Sequence, residues 1–151
     1  MPSRRPGDGD PPQATAEAVR LQMYSRDRAA QALGITVDVI APGTATCMMV
    51  VRPDMLNGHE TCHGGLIFTL ADTAFAYACN AGNRATVALN AQITFIAPAR
   101  AGDLLTATAR EQSRGGRTGV YDVEVHRADG TLLALFRGQG YEIRGAIVPP
   151  P

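Results

Sequence analysis

Residues Val120 to His126 read V-Y-D-V-E-V-H, a strict alternation of apolar and polar side chains that marks a strand with one face buried. Ile35 to Ile40 alternates in the same way, and Pro42-Gly43 makes a turn that joins it to a second strand, Thr44 to Val51. Three further strands are predicted at Thr86 to Ala97, Asp103 to Gln112 and Thr131 to Ile143, with Ala128-Asp129-Gly130 as the hairpin turn behind Gly119 to Arg127. Two segments carry a different pattern. Ala14 to Leu33 lacks Pro and Gly and is rich in helix formers; Thr15 can cap it, Gly34 stops it, and Val19, Met23, Ala30 and Leu33 form a modest apolar stripe. Leu66 to Cys79 is apolar on every side, as a helix buried all round is. The predicted order is helix, two strands, buried helix, four strands. That is an α+β chain in which an antiparallel sheet curls around one long helix. One such sheet leaves edges and one side of the helix uncovered, so association of two subunits is the economical completion.

Length and charge narrow the classes. The 151 residues suit one domain, expected over residues 14–145, with a disordered tail at 1–13 and a C-terminal tail at 146–151. Net charge is zero, so there is no basic field for nucleic acid or a membrane surface. Cys47, Cys62 and Cys79 are odd in number with no CxxC pair, which argues against a disulfide framework and a standard zinc site and points to reduced thiols in the cytoplasm. Arg4-Arg5 is followed by Pro, Gly and Asp rather than by the apolar stretch of an export signal. Gly64 to Gly82 has nearly the length of a membrane span, but Asp72 at its centre is costly in lipid and no basic flank anchors it.

Asp72 is the only charged residue between His63 and Arg84. Two readings compete: a core acid satisfied by Thr69, Thr73 or nearby backbone, or a cleft carboxylate with a perturbed pKa doing acid–base or nucleophilic work. His63-Gly64-Gly65 stands where the helix begins, where free N–H groups and the positive end of the helix dipole can stabilise a developing oxyanion. The alternative is a glycine pair that only serves a tight turn. Gly64 and Asp72 are eight residues apart, about 12 Å along a helix, so one reacting carbonyl cannot touch both. Either the two do not cooperate, or Gly64 of one subunit meets Asp72 of another across antiparallel helices, giving interfacial sites. His63 is a base, an orienting group or a structural loop histidine; Asn57 positions substrate or water or holds the Asn57-Gly58 turn; His59 reads as solvent-exposed. No cluster has metal-ligand spacing.

The stretch Asn57-Gly58-His59-Glu60-Thr61-Cys62-His63-Gly64-Gly65, with Leu70-Ala71-Asp72-Thr73 through Asn80, Pro98, Ala101-Gly102-Asp103, Thr118 to Asp122 and Leu135 to Gly138, resembles the PaaI-type thioesterases of the hot-dog superfamily, which act in phenylacetate degradation. The likeness runs from about Ala14 to Gly145. It implies a hot-dog fold, hydrolysis of aryl-acetyl-CoA thioesters without metal or organic cofactor, and a homodimer or homotetramer. Position by position, it implies that Asp72 is the nucleophile or general base, that the Gly64 N–H polarises the thioester carbonyl, and that His63 and Asn57 orient the loop, substrate or water. Glu60 departs from the small residue expected there. Basic groups are expected near the CoA phosphates. Ser113-Arg114-Gly115-Gly116-Arg117 is a candidate against the plainer reading of a solvated hairpin turn, and Arg84 and Arg100 are others. A hot-dog dehydratase or hydratase pairing His63 with Asp72, and a non-catalytic acyl-CoA sensor, are the alternative functions.

Overall fold

The computed structural model describes residues 12–149. Positions 1–11 and 150–151, which hold most of the expected N-terminal tail and the end of the C-terminal one, lie outside the described residues. The N-terminal helical segment is broken in two, α1 (Pro12–Tyr24) and α2 (Arg28–Ala32). The break follows from Asp27. Its Oδ1 accepts the Ala30 N–H at 3.1 Å and so caps α2, while its Oδ2 accepts the Tyr77 hydroxyl at 3.1 Å. An aspartate that satisfies the free N–H of a new helix competes with continuing the old one. Thr15 accordingly sits inside α1 and not at its cap, whereas Gly34 ends α2 with φ at +68° as glycine allows. Val19 and Ala30 are buried, and Met23 and Leu33 pack partly exposed against the core.

Six strands follow: β1 (Thr36–Ala41), β2 (Thr44–Val50), β3 (Thr86–Phe95), β4 (Leu104–Gly115), β5 (Thr118–Arg127) and β6 (Leu132–Glu142), with the long helix α3 (Gly64–Asn80) between β2 and β3. They form one antiparallel sheet in the order β1-β2-β4-β5-β6-β3. The crossing of α3 carries the chain from one side of the sheet to the other, so β3 becomes the edge opposite β1. Alternation sets which face of the sheet meets α3. Ala107, Ala109, Val123, Val125, Ala134 and Phe136 point inward and are buried, with Ala107 opposite Val125 and Val123 opposite Phe136. Small residues on β4 and bulky ones on β5 and β6 let the sheet wrap closely around the helix.

Phe75 is the knob on which this wrapping turns. Its ring packs against Tyr121 and Phe136 at centroid distances of 5.6 and 5.8 Å, and Phe68 meets Phe136 edge-on at 5.2 Å. The sheet has Gly138 above that ring; a Cβ there would lie 2.9 Å from it. Truncating so well buried a phenylalanine costs about 3–5 kcal/mol. At the far end of α3, buried Asn80 joins helix to sheet: its amide donates to the carbonyls of Ala76 and Thr86, and its Oδ1 accepts the Thr86 N–H at 2.9 Å.

The helix is not covered on every side within one chain. Gly65 is exposed, and Thr69, Asp72, Thr73 and Ala76 are only partly buried, forming a narrow stripe of small and polar residues along α3. Beside it the edge strand β3 carries Val87, Leu89 and Phe95 exposed, Leu89 at 59% and Phe95 at 52%. An unpaired strand edge lined with large apolar side chains is open to pairing with a further strand.

Candidate active site

Loop residues 56–63 lead into α3, and their geometry is set by one side chain. Asn57 Oδ1 accepts the His59 N–H at 2.9 Å, the Thr61 N–H at 3.2 Å and the Thr61 hydroxyl at 3.2 Å, while the Asn57 N–H donates to the Thr61 carbonyl at 2.8 Å. This closes a tight loop that forces Glu60 to φ of +59°, an uncommon value for a side chain without a local hydrogen-bonding carbonyl. It also fixes the amide the right way round: the oxygen is consumed by the loop, so Asn57 presents its NH2 group outward as a donor.

His63 is the N-cap of α3. Its Nδ1 accepts the Gly65 N–H at 2.9 Å, and its carbonyl accepts the Leu66 and Ile67 N–H groups. The neutral ring therefore carries its proton on Nε2. Three of the first four helical N–H groups are thus satisfied by His63 itself. Among the described residues the Gly64 N–H has no acceptor. Gly64 lines a cavity of about 370 Å³ together with Asn57, Thr61, Cys62, Ile67, Phe95 and Ile96 among others. That N–H stands at the positive end of the dipole of a helix of 17 residues, which suits an oxygen gaining negative charge.

Asp72 lies elsewhere. It is half-buried on the open stripe of α3 and does not line that cavity. The two hydroxyls considered as partners are engaged elsewhere: the Thr69 hydroxyl donates to the Gly65 carbonyl at 2.9 Å and the Thr73 hydroxyl to the Thr69 carbonyl at 2.7 Å. Among the described residues no donor reaches the Asp72 carboxylate. Burial raises its pKa above the usual aspartate value, with no cation to oppose the shift. An unpartnered, partly desolvated carboxylate held on an otherwise apolar helix is a candidate for acid–base or nucleophilic work.

The structure therefore brings Asn57 and Gly64 to one cavity, places His63 beside it as a cap, and holds Asp72 apart. His59 is solvent-exposed. Buried Cys62 lines the cavity, but burial raises its pKa, which keeps it a thiol. The cavity's apolar wall, Phe95 with Ile96, was read in the sequence only as the end of a strand; nothing in spacing marks it. No group of three or more His, Cys, Asp or Glu that could hold a metal occurs among the described residues.

A curled antiparallel sheet around one long helix is the hot-dog fold. A family model of the thioesterase superfamily matches residues 59–134, and the chain belongs to that superfamily. It is similar to acyl-coenzyme A thioesterase PaaI of Escherichia coli (strain K12), at 50% identity over 125 residues that cover 83% of this chain and 89% of the relative. The solved structure of the E. coli PaaI protein from the phenylacetic acid degradation operon superposes with a TM-score of 0.88 at 46% identity, covering 90% of this chain and 99% of that one. Human acyl-coenzyme A thioesterase 13 is 32% identical over 106 residues, 68% of this chain and 76% of the relative.

Proposed function

We propose that the protein hydrolyses aryl-acetyl-CoA thioesters of the phenylacetyl or hydroxyphenylacetyl type to the free acid and CoA. The observation that carries this reading is the pairing of two unsatisfied groups on one helix: the Gly64 N–H at its start and the Asp72 carboxylate eight residues on. About 12 Å separates them within a chain, so the working site is shared. Two copies pack their α3 stripes antiparallel about a two-fold axis, and each site takes Gly64 from one subunit and Asp72 from the other. The exposed edge of β3 and its apolar side chains support the same association, as a homodimer or a homotetramer built from two of them.

In this mechanism the thioester oxygen accepts the Gly64 N–H. The partner's carboxylate then either attacks the carbonyl carbon, expelling CoA thiolate and leaving a mixed anhydride for water to open, or takes a proton from a water that attacks. The raised pKa of Asp72 brings it nearer the working pH and so improves it as a base. The Asn57 NH2 group donates to substrate or water, and His63 holds the helix start in place. Donor and base both come from the chain, so the scheme uses no cofactor. Three buried free thiols support a cytoplasmic setting, and no helix among the described residues is long and apolar enough to cross a membrane.

Thiol release from phenylacetyl-, hydroxyphenylacetyl-, benzoyl- and hexanoyl-CoA tests the reading, with Asp72→Asn as the comparison. Turnover is expected to be highest with the aryl-acetyl esters and to fall by about 10³-fold or more in the variant. An Asn variant with native turnover overturns the role of Asp72. A folded native oligomer that cleaves none of the four esters overturns the activity.

A further inference from the structure

We propose that Phe95 selects the acyl group: its ring is the platform against which the aryl ring of an aryl-acetyl thioester packs. This deepens, and rests on, the thioesterase reading above. Phe95 is the last residue of β3 and lies opposite Ala134 of β6, so its side chain is on the face of the sheet that meets α3. The backbone is held on both sides of it. Just beyond, the Ile96 and Ala97 N–H groups both donate to the Leu133 carbonyl, at 2.8 and 3.2 Å. Two residues facing one make a bulge, which ends the regular pairing and turns Ile96, Ala97 and Pro98 along the cavity. The Ala99 carbonyl then accepts the Cys62 N–H at 2.8 Å, which ties this segment to the loop that leads into α3. The two walls of the cavity are thus fastened to each other.

The ring sits against the helix start. A Cβ built on Gly64 would lie 2.8 Å from Phe95 Cζ and 3.2 and 3.3 Å from the two Cε atoms, so the tip of one ring face covers Gly64. The rest of the ring is not packed away. Phe75 and Phe136 are buried, but Phe95 is exposed and lines the cavity together with Gly64 and Ile67. Position decides what meets it. A thioester oxygen that accepts the Gly64 N–H holds the carbonyl carbon close to the ring tip. Of the two groups on that carbon, the sulfur carries the long polar CoA arm, and the short acyl group suits the apolar wall of Phe95, Ile67 and Ile96. The bonds of the acyl group then favour one chemistry. In a benzoyl thioester the ring is conjugated with the carbonyl and lies in its plane. The methylene of an aryl-acetyl group breaks that conjugation, so the aryl ring turns while the oxygen stays on its donor, and it settles offset or edge-on against Phe95. Such a pair of rings gains about two- to tenfold beyond contact area alone. A saturated ring of the same size gains only the area.

The experiment measures kcat/KM for phenylacetyl-CoA, cyclohexylacetyl-CoA and benzoyl-CoA in the native protein, in Phe95→Leu and in Phe95→Tyr. The native protein is expected to favour the phenylacetyl over the cyclohexylacetyl ester by about two- to tenfold. In Phe95→Leu that ratio is expected to fall to about one, and the advantage of phenylacetyl over benzoyl to shrink with it. Phe95→Tyr keeps the ring and is expected to keep both ratios. An equal loss on all three esters in Phe95→Leu would mean that the ring only supports the helix start, and it overturns the proposal. So does a native phenylacetyl to cyclohexylacetyl ratio near one, a ratio that Phe95→Leu leaves unmoved, or one that Phe95→Tyr abolishes; in each of these cases the thioesterase reading stands. Native protein that cleaves none of the three esters overturns that reading and the proposal with it.

Discussion

Adding one methyl group at Gly64 tests the helix start more sharply than removing a side chain does. Gly64 is the first residue of α3, and its backbone is not left-handed, so alanine is conformationally acceptable there. Gly→Ala within a helix ordinarily stabilises by about 0.5–1 kcal/mol. Here the new Cβ would stand 2.8 Å from Phe95 Cζ and 3.2 and 3.3 Å from the two Cε atoms, face-on to the ring. Overpacking of that kind costs about 1–3 kcal/mol, so the sign of the effect is expected to reverse: Gly64→Ala loses about 1–2 kcal/mol of stability. Relief comes by turning the ring into the cavity or by displacing the first turn of the helix. Either change disturbs the Gly64 N–H, and misplacing one oxyanion donor costs about 10²–10³ in kcat. The assay is kcat and KM on phenylacetyl-CoA beside urea unfolding, in a cycle with Phe95→Ala. Stability is expected to return in the double variant, with a coupling of about 1 kcal/mol or more. Strictly additive effects would refute the packing argument. A Gly64→Ala enzyme with native kcat would refute the role of the N–H.

Three further outcomes follow from the same geometry. His63→Ala removes the side-chain cap on Gly65 and is expected to cost about 1 kcal/mol, while His63→Ser, which can cap in its place, restores both stability and most of the turnover; a serine variant as inactive as alanine would show that the imidazole acts on the substrate. Leu89→Glu puts a charge on the bare edge of β3, and sedimentation is expected to show dissociated chains without turnover; an active monomer would end the shared-site scheme. Asp72 is a carboxyl whose folded pKa lies above its unfolded value, so its contribution to stability is full below the unfolded pKa and is lost as pH rises through the folded one. Asp72→Asn is therefore expected to unfold at higher temperature than the native protein at neutral pH, the gap closing below about pH 4, while native turnover falls as pH drops through the raised pKa.

Much of the fold was legible because periodicity is a local property. The alternation in Val120 to His126 and the unbroken apolar run through α3 each state how a segment is buried, and the sheet that satisfies both admits few arrangements. The split between α1 and α2 was not legible, because the partner that stabilises it, Tyr77, lies 50 positions further along the chain. The site divides the same way. Asp72 announced itself by being the one charge in an apolar run, and the separation from Gly64 forced the thought of two chains. Phe95 announced nothing, because its closeness to Gly64 exists only once β3 has returned to the far edge of the sheet. The competing partners for Asp72 could be weighed only when the two threonine hydroxyls were seen to point at carbonyls.

The open stripe on α3 links stability to activity. A single chain that buried Asp72 fully would have to give it a donor, and a paired aspartate has its pKa lowered and its basicity reduced. A chain that exposed it fully would hydrate it and lose the shift. The stripe does neither: small residues on either side of the carboxylate, Thr69, Thr73 and Ala76, let a second helix approach closely without supplying a donor. In the proposed shared site, dimerisation would complete the desolvation of Asp72 at the moment it brought the Gly64 N–H of the other subunit within reach. On this argument the base is strengthened by the same contact that assembles the site, and a weakened interface acts on turnover twice. Variants that loosen the dimer without dissociating it are expected to lower kcat and to shift the acid limb of the pH profile downward together. A loss of kcat with an unmoved limb would mean that the desolvation belongs to the single chain.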